Sequence, residues 1–122
     1  MLLVGIGVFF GAIARYVVDT WVAERAGVTF PFGTLVVNLS GSFVLGVLFA
    51  LALERGMLPA EIRAPVLIGF IGAYTTFSTL ALESWRLLEN GSYALGLANL
   101  VGSMALGIVA VAAGLLLGRA FA

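Results

Sequence analysis

The chain has 122 residues, 62% of them hydrophobic and 10% charged, with a net charge of zero. A soluble domain carries about 25% charged residues, so this sequence lacks the polar surface for a water-facing fold and reads as an integral membrane protein. It has no His, Cys or Lys and no basic run, which excludes thiol nucleophiles, imidazole or thiolate metal sites, disulfides and imidazole acid–base chemistry and removes support for nucleic-acid binding.

A helix needs about 20 apolar residues to cross the hydrocarbon core, and four segments meet that need. The first runs from Leu2 to about Trp21. No charged side chain precedes Arg15 and no small-residue cleavage pattern is present, so it reads as a retained span and not a signal peptide. Arg15 and Asp19 are four apart and are expected to pair on one face at the interface. Arg15 has a second reading, as positive potential at a pore entrance.

The second span runs from about Phe32 to Leu53, with Pro31 near its start. Thr34, Asn38 and Ser42 are spaced by four and share one helix face. The third runs from about Ala64 to Trp85 and contains the stretch GAYTTFSTLALE at 72–83. Gly costs a helix about 1 kcal/mol relative to Ala, and paired β-branched Thr residues add to that. Hydroxyl side chains also offer the backbone alternative hydrogen bonds. Two conformations follow. In one the helix breaks near Gly72–Thr75, freeing carbonyls that suit a cation and N–H groups and hydroxyls that suit an anion. In the other the helix is intact and the Thr hydroxyls bond the preceding turn. The residues by themselves leave both open. Glu83 and Arg86, three apart, read as an interface pair.

The fourth span, from about Ser92 to Leu117, carries no charge and is long enough to tilt. Asn99, Ser103 and Gly107 line one of its faces. Single polar residues of this kind act as interhelical glue worth about 0.6 kcal/mol. Two Asn-bearing stripes with the third-span cluster read instead as a polar track. Small residues four apart (Gly7 and Gly11, Ser42 and Gly46, Ser103 and Gly107, Gly114 and Gly118) predict close helix packing and self-association. Trp21 and Trp85 stand where interfacial aromatics belong.

The loops are short, and Asn90-Gly91 signals a turn. Arg55, Arg63 and Arg119 fall on one side, Arg25 and Arg86 on the other, with Arg15 near the latter. So weak an Arg bias leaves two readings: orientation set by something else, or insertion in both orientations as an antiparallel dimer.

GAIARY (11–16), GTLVVNLSGSFVLG (33–46) and GFIGAYTTFSTLALE (69–83) together resemble the small bacterial fluoride channels of the Fluc, or CrcB, family, over essentially the whole chain. The resemblance implies an all-α, four-helix subunit over residues 1–122, its third helix broken near the bilayer midplane. It implies an antiparallel dual-topology dimer in the cell membrane, with two pores that pass fluoride passively out of the cytoplasm. A structural sodium ion at the dimer centre would be held by the backbone carbonyls of Gly72 and Thr75. Asn38, Phe77, Ser78, Thr79 and Ser103 would line the fluoride path, with Arg15 in the vestibule, Thr34 beside the track and Glu83 after the break. One position departs: the motif usually reads TTFSTF, and here the second Phe is Leu80. Leu lacks the positive edge of an aromatic ring, which calls the second aromatic site into question and leaves two readings: the chain pairs with a different subunit in a heterodimer, or Leu80 is simply tolerated.

Two other readings compete. A small dual-topology proton-coupled drug exporter needs an acid deep in span one, where the first acid is Asp19 near its end. A non-conducting assembly subunit would use its polar residues only for packing. No motif assembles a nucleophile with a base, so an enzyme is not expected.

Overall fold

The computed structural model describes residues 1–121, and every regular element among them is helical. Helix α1 spans Leu2–Ala26 and α2 spans Phe32–Phe49, which continues as a π-helical segment, Ala50–Glu54. A short α3, Ala60–Ala64, runs into a second π-helical segment, Pro65–Ile71, and then into the single turn α4, Gly72–Tyr74. Two residues later come α5, Phe77–Glu89, and α6, Tyr93–Ala120. The stretches Leu2–Ala26, Phe32–Glu54, Ala60–Glu89 and Tyr93–Ala120 are each long and apolar enough to cross a membrane. They outrun the apolar cores read from sequence, because polar residues at their ends continue the helices.

The turn between α5 and α6 shows how composition stops a helix. Gly91 has φ 82°, its N–H bonds the Leu88 carbonyl at 3.1 Å and the Ser92 N–H bonds the Leu87 carbonyl at 2.9 Å. These two bonds satisfy carbonyls at the end of α5, and only a residue without Cβ takes that φ cheaply.

The paired glycines Gly7, Gly11, Gly46, Gly114 and Gly118 are used inside the chain, whereas Ser42, Ser103 and Gly107 border an open groove. α1 lies against the second π-helical segment: a Cβ on Gly7 would overlap the Pro65 carbonyl oxygen, and one on Gly11 the Phe70 carbonyl oxygen. α2 lies against α6 in the same way, Gly46 facing Val111 and Leu115, Gly114 facing Phe43 and Val47. Backbone-to-backbone approach is what small residues permit where lipid removes the hydrophobic drive between helices. Val37, Ala50, Ala52, Ile71 and Leu80 form the buried apolar centre. Phe9, Val17 and Val101 are among many large apolar side chains left outward, an apolar exterior of the kind a membrane accepts.

The expected interface pairs do not form. Among the described residues the ion pair is Arg119 with Glu54, where Nε and Nη2 each donate at 2.9 Å. Asp19 turns from Arg15 toward α2, its Oδ1 lying where a Cβ on Gly33 would stand. Glu83 is half-buried and Arg86 exposed.

Candidate functional site

The stretch of residues 72–79 is where the helical backbone gives way. Thr75 has φ −82° and ψ 156°, and Thr76 has φ −148° and ψ 115°, both extended. Two hydroxyls set this up. Thr75 Oγ1 donates back to the Ile71 carbonyl at 3.0 Å, closing the preceding turn. Thr76 is the N-cap of α5: its Oγ1 accepts the Thr79 N–H at 3.3 Å and donates to Thr79 Oγ1 at 3.0 Å. Thr is a favoured N-cap because it satisfies one of the N–H groups a helix start leaves bare. Thr76-x-x-Thr79 was therefore a readable helix-start signal that reasoning from composition overlooked.

α2 holds the extended residues from the side. Asn38 Oδ1 accepts the Thr76 N–H at 2.7 Å and Asn38 Nδ2 donates to the Thr76 carbonyl at 3.0 Å. This pairing fixes which end of the amide is oxygen, and leaves the second Nδ2 proton unused by Thr76. Two residues further along α2, the Ser40 and Tyr74 hydroxyls share a 2.9 Å hydrogen bond. The Tyr74 ring stacks over Phe70 with centroids 6.2 Å apart.

The interruption also redirects carbonyls. In a continuous helix Gly72 O would accept from the Thr76 N–H and Thr75 O from the Thr79 N–H. Here those donors go to Asn38 Oδ1 and Thr76 Oγ1. Gly72 is exposed, with nothing within 4 Å of a Cβ position, and Thr75 is half-buried.

Two concavities meet at Thr76. A small one of about 120 Å³ is lined by Arg15, Thr34, Thr76 and Thr79, with Asp19 and Val37. A larger groove of about 590 Å³, mostly apolar, is bordered by Asn38, Thr75, Thr76, Phe77, Leu80 and Ser103 among others on α2, α5 and α6. The structure thus gathers Arg15, Thr34 and Thr79 on one side of Thr76, and Asn38, Phe77, Leu80 and Ser103 on the other. Phe77 is 75% exposed, whereas Leu80 is 5% exposed and packed inward. Ser78 is exposed at the start of α5. Glu83 borders a third hollow of about 320 Å³ with Asp19 and Arg86, and its Oε1 is shielded and without a hydrogen-bond partner among the described residues.

The fourth-span stripe divides. Asn99, 1% exposed, donates to Ser84 Oγ at 2.9 Å, and Ser84 Oγ donates to the Leu80 carbonyl at 2.7 Å. Ser103 Oγ reaches Asn99 Oδ1 at 3.4 Å. Asn99 is therefore a buried tie between α5 and α6, and from this stripe Ser103 and Gly107 border the larger groove.

Chemically, the gathered groups are hydroxyls, one amide, an aromatic ring and the N–H groups of Phe77 and Ser78 at the positive end of α5. These groups carry no fixed charge, and the charged side chains beside them are Arg15 and Asp19, in the small concavity. The arrangement suits transient contact with an anion.

The sequence profile of the family described as "CrcB-like protein, Camphor Resistance (CrcB)" matches residues 2–115. A protein of Trichormus variabilis named "Fluoride-specific ion channel FluC" is 43% identical over 117 residues, covering 95% of this chain and 85% of the relative. A protein of the same name from Magnetococcus marinus is 46% identical over 116 residues, covering 95% and 94%. Another, from Rhizobium meliloti, is 44% identical over 120 residues, covering 98% and 96%.

Proposed function

The chain belongs to the CrcB-like protein family, and on that premise we propose that it is a fluoride-selective ion channel that lets fluoride leave the cytoplasm passively. The observation that carries this reading is the similarity to fluoride-specific channels over 95% or more of the chain. Fluoride is small and strongly hydrated, so it enters a low-dielectric interior only where donors replace its water. The second Nδ2 proton of Asn38, the Ser78 and Thr79 hydroxyls and the Phe77 edge supply such donors around the interruption, and Ser103, whose hydroxyl donates to Asn99 Oδ1, borders the same path. None is a fixed buried cation, which would hold the anion too tightly to release it. Arg15 adds positive potential in the small concavity, set against the Asp19 carboxylate that lines the same hollow.

In this reading the working unit is an antiparallel dual-topology homodimer in the cell membrane, with two pores and the interruption near the bilayer midplane. The outward Phe77 ring and the open groove beside it support a second copy covering this face. The weak Arg bias between loops supports insertion both ways. The carbonyls of Gly72 and Thr75, whose helical donors are drawn elsewhere, fit a sodium ion. Two copies would supply four such oxygens, and the ion would fix the paired interruptions against each other.

The test is fluoride efflux from liposomes holding this protein alone, followed with a fluoride electrode and with chloride as control. Rapid fluoride release with negligible chloride release is the expected result. No release from monodisperse protein would overturn a self-sufficient channel, and equal release of both ions would overturn its selectivity. If protein without Asp19 or Glu83 lost proton-driven drug efflux, the exporter reading would replace it.

A further inference from the structure

Gly41 sits in the middle of α2, buried, one turn beyond Val37 and three residues beyond Asn38. All three face the extended residues of the third span. A Cβ on Gly41 would overlap Thr75 Cγ2 and stand 3.0 Å from Tyr74 Cδ2. Neither neighbour can step aside. Thr75 is β-branched, and its rotamer is held by the Oγ1 bond to the Ile71 carbonyl at 3.0 Å. The Tyr74 ring is stacked on Phe70 and tied through its hydroxyl to Ser40 at 2.9 Å. A methyl at position 41 must therefore move the backbone of residues 74–76. By contrast, a Cβ on Gly72 or Gly102 would meet nothing within 4 Å.

We propose that Gly41 is a positioning residue of the channel: the gap it leaves on α2 seats Thr75 and Tyr74, and so sets where the extended turn, the Thr75 carbonyl and the start of α5 lie. Asn38 completes the seat by gripping Thr76 from both sides. Gly41 touches no ion. It acts through Thr75, and its effect on flux rests on the channel reading above.

The test is a size exchange across this contact. Gly41→Ala is expected to lower fluoride flux by about tenfold or more, since a supporting shift of under an ångström is enough to spoil a site. Thr75→Ser removes Cγ2 and keeps the hydroxyl that bonds Ile71. The double variant Gly41→Ala/Thr75→Ser is expected to recover most of the flux lost in Gly41→Ala, since it removes the overlap with Thr75 Cγ2 and leaves only the 3.0 Å contact with Tyr74 Cδ2. Hydrogen exchange gives a readout independent of transport: the Thr76 amide, held by Asn38, should exchange faster in Gly41→Ala and slow again in the double variant. Wild-type flux in Gly41→Ala would overturn the proposal, as would a loss that Thr75→Ser does not relieve. If Gly41→Ala fails to fold, the double variant must fold, and its failure also overturns the proposal. Wild-type protein that passes no fluoride, with the exchange pattern still following the size exchange, would sink the channel reading and leave the positioning role standing.

Discussion

The side-chain amide of Asn38 holds the Thr76 peptide from both sides, accepting its N–H at 2.7 Å and donating to its carbonyl at 3.0 Å. Asn38→Asp keeps the shape and the acceptor. It removes the donor, sets a carboxylate against a carbonyl and places negative charge at the edge of the proposed anion path. Fluoride efflux from liposomes should fall by about tenfold or more, because like-charge repulsion and a lost donor act together. Melting in detergent should show a loss of about 1–3 kcal/mol from the unsatisfied carbonyl. Efflux equal to wild type would mean that the donor is dispensable.

The four spans were legible because an apolar run of about 20 residues has few alternatives. Their ends were not, since helices continue through polar residues once started. Residues 72–79 stood out by composition, yet the partner that holds Thr76 is Asn38, 38 residues earlier. That pairing depends on how α2 lies against the third span, which no local pattern encodes. Spacing also misled. An i,i+4 separation predicts a pair between Arg15 and Asp19, while Asp19 turns to Gly33. The ion pair that forms among the described residues joins Glu54 to Arg119, 65 residues apart. Small-residue stripes announced close packing correctly, but which backbone they meet is a tertiary fact.

The buried tie between α5 and α6 has an order of importance that bond lengths set. Asn99 donates to Ser84 at 2.9 Å, whereas the Ser103 bond to Asn99 is 3.4 Å. Asn99→Ala should cost more stability than Ser103→Ala, with Asn99→Ala near about 1–2 kcal/mol, the upper end for interhelical polar bonds in membranes. Unfolding in mixed micelles measures both. Equal and negligible losses would show that α5 and α6 are held by apolar packing alone.

Glycines on α6 should divide by what faces them. On Gly114 a Cβ would overlap the Phe43 carbonyl oxygen and lie 2.9 Å from Val47 N, while on Gly102 it would meet nothing within 4 Å. Gly114→Ala must therefore push α2 and α6 apart, with a loss of about 1–3 kcal/mol typical of overpacking. Gly102→Ala should be neutral or stabilising, since Ala is the better helix former. Paired thermal melts decide it, and a neutral Gly114→Ala would mean that the two helices do not approach as described.

Leu80 is the position where the sequence departs from the motif, and its surroundings make the departure testable. Leu80 is 5% exposed and Phe77, three residues earlier on α5, is 75% exposed, yet both border the same groove of about 590 Å³. A Phe at position 80 has that groove to enter, so steric cost should stay within the about 1–3 kcal/mol of modest overpacking. What it adds is a second positive ring edge beside the Asn38 amide, on the same groove as Ser103. Leu80→Phe is expected to raise fluoride flux and anion occupancy while chloride release stays low. Leu80→Met, close in volume and without a ring, separates size from the ring edge and should leave flux at the wild-type level. If Leu80→Phe changes neither flux nor occupancy, one aromatic per subunit suffices, and Phe77 with the polar donors carries the anion alone.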